Sequence, residues 1–151
     1  MRIYLGATAG LRLLNLTNPN AVKNILNKTE DTITNFANWQ MVPNSVRVLS
    51  GAEEAIFGWI SALNLENGQS FGSLDMGGAS AQKVNSCQKD LQNCSIYQLF
   101  DEDFSVSSSS ALCYGLEEAI KRFVAALIYD SYRSRKTLEN LTISNPCLPP
   151  R

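Results

Sequence analysis

The most informative stretch of the chain reads Phe71-Gly72-Ser73-Leu74-Asp75-Met76-Gly77-Gly78-Ala79-Ser80-Ala81-Gln82. It predicts a short buried strand over residues 71–76, a Gly-Gly-Ala-Ser turn and a second hairpin strand. Gly77 and Gly78 permit positive φ and let a ligand approach a backbone whose N–H groups can converge on an anion. Asp75, near the end of the strand, can hold a hydrated divalent cation beside a phosphate. A plain hairpin turn has the same composition, so the rest of the chain has to distinguish the two interpretations.

Composition excludes several classes of function. The chain has 151 residues, a net charge of −1, an apolar fraction of 44% and no histidine, which suits about one globular domain. The near-neutral charge argues against nucleic-acid binding. The lack of histidine removes Ser-His-Asp catalysis, Cys-His catalysis and histidine-ligated zinc. The sequence contains no P-loop motif and no apolar run of membrane-spanning length.

The cysteines indicate disulfides rather than a zinc site. None of the four lies in a Cys-x-x-Cys pair, and wide, irregular spacing suits a secretory compartment. Cys87 and Cys94 are close enough in sequence to bridge each other. Asn-x-Ser/Thr glycosylation sequons fit the same compartment, although a chain rich in asparagine and serine carries some by chance; they begin at Asn15, Asn27, Asn93 and Asn140. No signal peptide follows Met1, so we expect a piece of a longer protein.

Apolar periodicity predicts a mixed α/β chain. The predicted strands are residues 3–7, 46–49, 71–76, 81–84, 96–100 and 104–112, and the predicted helices begin near Leu11, run over 18–38 and 50–63, and follow Gly115, with 39–44 as a connection. The first strand runs into the small-residue turn Thr8-Ala9-Gly10 and then a helix. That arrangement either aims backbone N–H groups at an anion or is a plain strand-to-helix corner.

The start of the third helix distinguishes two adjacent carboxylates. Ser50 and Glu53 form a capping box, in which Glu53 has a structural role. Glu54 lies opposite the predicted apolar stripe, which consists of Ala52, Ile56, Trp59, Ile60 and Leu63. Glu54 therefore either is solvated and stabilises the helix dipole or projects into a cleft beside a ligand. The two small-residue loops, Asp75 and Glu54 together suit phosphoryl transfer, which needs N–H donors, a metal and a base.

Three of these stretches resemble the ectonucleoside triphosphate diphosphohydrolases, the ecto-apyrase family. YLGATAGLRLL at 4–14, LSGAEEAIFGWI at 49–60 and GSLDMGGASAQ at 72–82 resemble its second, third and fourth conserved regions, in the family's order and spacing. Leu112-Cys113-Tyr114-Gly115 and Asn145-Pro146-Cys147 are similar to the cell-surface branch. The resemblance covers nearly the whole chain and is weakest between residues 85 and 105.

The resemblance implies a role for each site residue. Glu54 would be the catalytic base, Ser80 and Gln82 would position the attacking water, and Asp75 would hold Ca²⁺ or Mg²⁺ through its water shell. The residues implied to bind the nucleotide phosphates, or the water of the metal, are Thr8, Ala9, Gly77, Gly78, Ala79 and Ser80.

The resemblance also implies an α/β actin-like (ribonuclease-H-like) fold, with residues 1–70 ending the first lobe and 71–151 starting the second. The implied reaction is hydrolysis of extracellular nucleoside tri- and diphosphates (ATP, ADP) to monophosphate and phosphate by direct water attack. It takes place at the cell surface or in the secretory pathway. Nucleotides would be the partners, nucleic acid would not, and membrane attachment would use segments that this chain lacks.

Several departures from the family bear on activity. The first and fifth conserved regions are absent, Leu63-Asn64 stands where the family usually has Asn-Tyr, and the family's partners for Cys113 and Cys147 do not occur. We therefore expect a fragment with little or no activity by itself. The alternatives are a non-catalytic nucleotide-binding remnant and another actin-like phosphotransferase, such as a sugar kinase.

Overall fold

The computed structural model describes residues 2–36, 40–65, 72–88, 93–99, 101–135, 143 and 145–147. These residues form a mixed α/β structure with two sheets, as the periodicity predicts. In chain order the elements are β1 (Arg2–Ala7), α1 (Ala9–Thr17), α2 (Pro19–Phe36), β2 (Gln40–Val48), α3 (Gly51–Leu65), β3 (Ser73–Met76), β4 (Ser80–Ser86), β5 (Ser95–Leu99), β6 (Glu102–Leu112) and α4 (Leu116–Arg135).

The first sheet consists of β1 and β2, which are parallel. Parallel strands need a crossover connection, and α1 and α2 supply it. Leu49 directly follows β2, and its N–H donates to the Ala7 carbonyl at 2.7 Å. The carboxyl ends of both strands therefore lie together, next to the starts of α1 and α3.

One predicted connection is wrong for most of its length. Residues 40–44 belong to β2, although Pro43-Asn44 reads as a turn in the sequence. β2 advances from Met41 to Val46 while β1 advances only from Ile3 to Leu5, so β2 bulges here. Asn44 lies in the bulge with a positive φ of 62°, which is why the turn signal occurs inside a strand.

The second sheet is antiparallel, with the strand order β3-β4-β6-β5. The predicted hairpin is confirmed, since β3 pairs with β4 along its whole length; Phe71 lies outside the described residues. The prediction of a buried strand is wrong, because β3 is an edge strand in which Leu74 is 83% and Met76 66% exposed. Apolar content does not by itself distinguish an edge strand from a central one.

The core lies between α3 and the second sheet. Trp59 and Leu63 of α3 are fully buried, and Trp59 packs edge-to-face on Phe104 with 5.7 Å between ring centroids. The predicted stripe is confirmed except at Ala52, which is exposed. The buried core residues are Ala55, Ile56, Trp59, Leu63, Val84, Phe104 and Val106. This packing fixes the start of α3 against one face of β4 and β6.

The predicted disulfide between Cys87 and Cys94 is present, with Cα atoms 6.1 Å apart, whereas Cys113 and Cys147 are unpaired. Along α4 the predicted apolar periodicity leaves large side chains exposed, including Ile120 at 53% and Phe123 at 38%. In the described part of the chain, no helix has the length and apolar character needed to cross a membrane.

Candidate active site

Polar side chains from four elements meet at the start of α3. They are Arg12 of α1, Glu54 of α3, Ser80 and Gln82 of β4, and Ser110 of β6. The close packing of α3 on the second sheet brings these side chains together. Gly51, in the first turn of α3, permits this approach, because a Cβ at this position would overlap the Ser110 side chain.

Glu53 is committed to the start of the helix, as the capping box predicts. Its Oε2 accepts the Ser50 N–H at 2.9 Å, while its own N–H donates to Ser50 Oγ at 3.2 Å. Arg47 donates to both carboxylate oxygens, at 2.7 and 3.1 Å. The hydrogen bonds from Arg47, followed by those from Ser50, lower the pKa of Glu53 from 4.5 to about 2.

Glu54 points into the cluster instead of into solvent. Its Oε2 accepts Arg12 Nη2 at 2.6 Å and Gln82 Nε2 at 3.1 Å, and its side chain is 17% exposed. Within the described part of the chain, every hydrogen bond of this carboxylate goes to Oε2. Of the two sequence interpretations, the structure therefore disfavours a solvated surface carboxylate, and Oε1 makes no hydrogen bond with the described residues.

The strand period of β4 places Ser80, Gln82 and Val84 on the face that packs toward α3, and all three are buried. Gln82 Nε2 also lies 2.5 Å from Ser80 Oγ and 3.1 Å from Ser110 Oγ, so its two hydrogens are shared among these hydroxyls and Glu54 Oε2. Gln82 Oε1 is buried without a hydrogen-bond partner among the described residues. Buried acceptors of this kind ordinarily pair with a protein donor, an ordered water or a ligand.

Asp75 lies at the open edge of this cluster. It pairs directly with Gln82 across the hairpin, and Gln82 pairs with Ser110 on the next strand. Residues opposite each other in antiparallel strands share a face, so the three side chains form a row beneath the start of α3. Asp75 and Ser110, at the two ends of the row, are exposed, whereas Gln82 between them is buried.

The β3–β4 loop, residues 77–79, is attached to the start of α4 through its carbonyl groups. Leu116 N–H donates to Gly77 O and Glu117 N–H to Gly78 O, each at 2.9 Å. In a trans peptide the N–H points away from the C=O. The N–H groups of Gly78 and Ala79 therefore point away from α4 and are oriented for an anion on the other side.

The first small-residue turn forms the start of α1. Thr8 is the N-cap but makes no side-chain capping hydrogen bond, and Ala9 is 5% exposed. The first N–H groups of a helix have no partner within it, so this end can receive an anion. Arg12 lies one turn further along α1 and links this end to Glu54 and Ser80.

A model of the GDA1/CD39 (nucleoside phosphatase) family matches residues 1–151. The chain belongs to this family. It is similar to ectonucleoside triphosphate diphosphohydrolase 2 of Homo sapiens, with 36% identity over 144 residues, covering 83% of this chain and 28% of the relative. It is also similar to ectonucleoside triphosphate diphosphohydrolase 3 of Mus musculus, with 33% identity over 171 residues, covering 98% of this chain and 30% of the relative.

Membership of the GDA1/CD39 family confirms the family predicted from the three motifs. The mixed α/β structure is consistent with part of the actin-like fold that the resemblance implied. The chain spans less than a third of the length of these relatives. The division into two lobes at residue 70 stays a prediction.

The structure brings together Glu54, Ser80 and Gln82, with Asp75 in the same row. Sequence reasoning missed Arg12 and Ser110 as members of the cluster. Arg12 carried one signal, since it is a charged residue between leucines inside a quoted motif. Ser110 carried little, because it lies in a run of four serines.

Proposed function

We propose that this GDA1/CD39 family chain forms part of the active site of an enzyme that hydrolyses extracellular nucleoside tri- and diphosphates to monophosphate and phosphate. One observation carries the proposal: among the described residues, Glu54 accepts hydrogen bonds at Oε2 alone, and Gln82 Oε1 in the same cluster is buried without a partner. A carboxylate with one available oxygen beside an unsatisfied acceptor suits a water molecule that is to be deprotonated.

A water in this position would serve both acceptors. It would donate one hydrogen bond to Gln82 Oε1, whose burial without a partner otherwise costs about 1–3 kcal/mol. It would donate the other to Glu54 Oε1. Glu54 then takes that proton as the water oxygen bonds to the terminal phosphorus. The bond from this phosphorus to the bridging oxygen breaks, and the shortened nucleotide leaves with that oxygen.

Backbone N–H groups are proposed to hold the phosphates. The N–H groups of Gly78 and Ala79 point away from α4, and Ser80 follows directly with its hydroxyl in the cluster. The start of α1, at Thr8 and Ala9, would supply a second set of donors. Such donors neutralise negative charge without ionisable side chains, in keeping with the near-neutral net charge of −1.

Asp75 fits a hydrated divalent cation. Among the described residues there is no group of three or more His, Cys, Asp and Glu that could enclose a metal ion. A single exposed carboxylate suits Mg²⁺ or Ca²⁺ that keeps several waters and is held jointly with substrate phosphates. The cation would supply charge neutralisation at the phosphates.

An extracellular location is consistent with several features of the chain. The relatives named above are ecto-enzymes by name, and the Cys87–Cys94 disulfide suits an oxidising compartment. The sequon residues Asn15, Asn27 and Asn93 are exposed, as glycosylation requires.

Residues 1–70 are proposed to belong to the first lobe and 71–151 to the second.

The test is hydrolysis of ATP and ADP in isotopically labelled water, with Ca²⁺ or Mg²⁺, by the longest natural protein that contains residues 1–151. We expect the label in the released phosphate, loss of activity with a chelator and loss of activity in Glu54→Gln. Transfer of phosphate to an added acceptor instead would favour a kinase. Nucleotide binding without phosphate release would favour a non-catalytic remnant.

The 151-residue chain itself is expected to release little or no phosphate, because the three regions that resemble the family supply only part of the residues with which the family binds phosphate. Phosphate release by the isolated chain that is lost in Glu54→Gln would overturn this expectation while supporting the base. Calorimetric titration of the chain with ATP measures any remaining nucleotide affinity.

A further inference from the structure

We propose that Arg12 is a positioning residue for the proposed hydrolysis: its guanidinium fixes the Glu54 carboxylate through Oε2, so that Oε1 receives the proton of the attacking water. This inference rests on the proposed function. It assigns a role to a cation at the site that neither the motif resemblance nor the family match identifies.

The guanidinium of Arg12 is held on both sides. Nη1 donates to the Leu49 carbonyl at 2.9 Å, and Nη2 donates to Glu54 Oε2 at 2.6 Å and to Ser80 Oγ at 3.1 Å. Leu49 is itself fixed, since its N–H donates to Ala7 O at the end of β1. Arg12 therefore links the Glu54 carboxylate to the backbone of the β1–β2 sheet by hydrogen bonds.

This arrangement determines which oxygen of Glu54 can act. Oε2 accepts from both Arg12 and Gln82. Because a carboxylate has about two acceptor sites on each oxygen, these two donors occupy the sites of Oε2. Oε1 has no such donor among the described residues. Without Arg12 the carboxylate can rotate about its terminal torsion, for which the energy wells are broad, and can present either oxygen or neither.

Arg12 also connects parts of the site that are distant in sequence. It is 42 residues from Glu54 and 68 from Ser80, and it lies one helical turn after Thr8. Its side chain is 15% exposed. The interaction at Glu54 is therefore shielded from solvent and weakly screened by salt.

Lysine would not replace this geometry fully. The planar fork of arginine reaches Leu49 O with one nitrogen and Glu54 with the other, whereas lysine is a point charge. We expect Arg12→Lys to keep the charge beside Glu54 but to lose the backbone attachment. Arg12→Gln removes both.

The experiment measures kcat and KM for ATP in the longest natural protein containing this sequence. Arg12→Gln is expected to lower kcat about 100-fold, as small misplacements of a catalytic group do, with KM changed less than about threefold. Arg12→Lys should fall between Arg12→Gln and wild type. The matched control is Arg47→Gln, which breaks the neighbouring arginine–glutamate pair at Glu53 and should leave kcat unchanged.

A double-mutant cycle distinguishes positioning from a merely structural role. Because Arg12 is proposed to act through Glu54, Arg12→Gln should lower the residual rate of Glu54→Gln by less than about threefold. Added guanidinium should partly restore kcat in Arg12→Ala. Neither result is expected if Arg12 only stabilises the fold.

The outcomes distinguish failure of the inference from failure of the proposed function. The positioning role is overturned, and the proposed function stands, if the wild type is active and Arg12→Gln keeps its kcat or raises only KM. The same holds if the rate losses of Arg12→Gln and Glu54→Gln multiply in the double variant. If Arg12→Gln does not fold, Arg12→Lys decides. A wild-type kcat in Arg12→Lys overturns the positioning role, and a reduced kcat at unchanged KM supports it. A wild type that releases no phosphate overturns the proposed function and the inference together.

Discussion

Gly115 lies where the β3–β4 loop, residues 77–79, is attached to the start of α4. A Cβ built there would overlap the carbonyl group of Gly78 and the nitrogen of Ala79, which are backbone atoms and cannot rotate away. We therefore expect Gly115→Ala to push residues 77–79 away from the start of α4. The hydrogen bonds to Gly77 O and Gly78 O would lengthen, and the N–H groups proposed to face the phosphate would turn with their peptide planes.

The size of the effect follows from two contributions. Overpacking of this kind costs about 1–3 kcal/mol of stability, and each kcal/mol lowers the melting temperature by about 2–4 °C in a domain of 150–250 residues. Loss of one hydrogen bond to a charged group costs about 1.5–3 kcal/mol, which corresponds to a decrease in kcat/KM for ATP of about 10- to 100-fold.

The assay combines thermal unfolding with ATP hydrolysis, with Gly58→Ala as the matched control. A Cβ at Gly58 meets nothing within 4 Å, and Gly58 lies inside α3. That variant should gain about 0.5–1 kcal/mol, as Gly-to-Ala changes in helices do, and keep its kcat/KM. If Gly115→Ala melts and hydrolyses like wild type, the loop is not fixed by α4 and the reasoning is refuted.

Further predictions concern the core, the helix cap and the disulfide. Trp59→Ala should lower the free energy of unfolding by about 3–5 kcal/mol, because Trp59 is fully buried; denaturant unfolding measures it, and a cost below about 1 kcal/mol would contradict the packing. Since the pKa of Glu53 is lowered to about 2, the carboxylate contributes its full stabilisation above the ordinary pKa of 4.5, and this contribution is lost as the pH falls toward 2. The melting temperature should therefore fall less steeply across this pH range in Glu53→Gln than in wild type. Equal slopes in the two proteins would argue against the capping role. Replacing Cys87 and Cys94 by serine should cost about 2–3 kcal/mol for a closed loop of this length, and denaturation midpoints unchanged by the replacement would contradict it.

Local signals in the sequence predicted the local structure correctly. The capping box at Ser50 and Glu53, the hairpin around Gly77 and the Cys87–Cys94 disulfide all involve residues a few positions apart. Their geometry is set by backbone conformation and turn chemistry, which short patterns encode. The strand bulge at Asn44 was missed because the same local signal, a proline followed by an asparagine, indicates a turn in most contexts.

The site required long-range information that periodicity does not contain. Arg12 and Ser110 join the cluster only because α1 begins and β6 ends near the start of α3. They are 42 and 28 residues away from their partners Glu54 and Gln82. The exposure of Leu74 and Met76 likewise follows from tertiary structure, since they lie opposite Lys83 and Ala81 on the face of the sheet away from α3, in a strand that pairs only with β4 within the described sheet. For Glu54 the sequence left two interpretations open, because the capping box assigned a structural role to Glu53 alone.

The adjacent carboxylates Glu53 and Glu54 provide the most direct test of the central claim. The measurement is the initial rate of phosphate release from ATP by Glu53→Gln and by Glu54→Gln, both made in the longest natural protein that contains residues 1–151 and assayed under the same conditions. The proposed mechanism predicts that Glu54→Gln loses about 100-fold or more of the rate, as expected for a general base, whereas Glu53→Gln stays within about threefold of wild type once folding is matched. Equal losses in both variants, or a Glu54→Gln variant that keeps its rate, would contradict the assignment of Glu54 as the base.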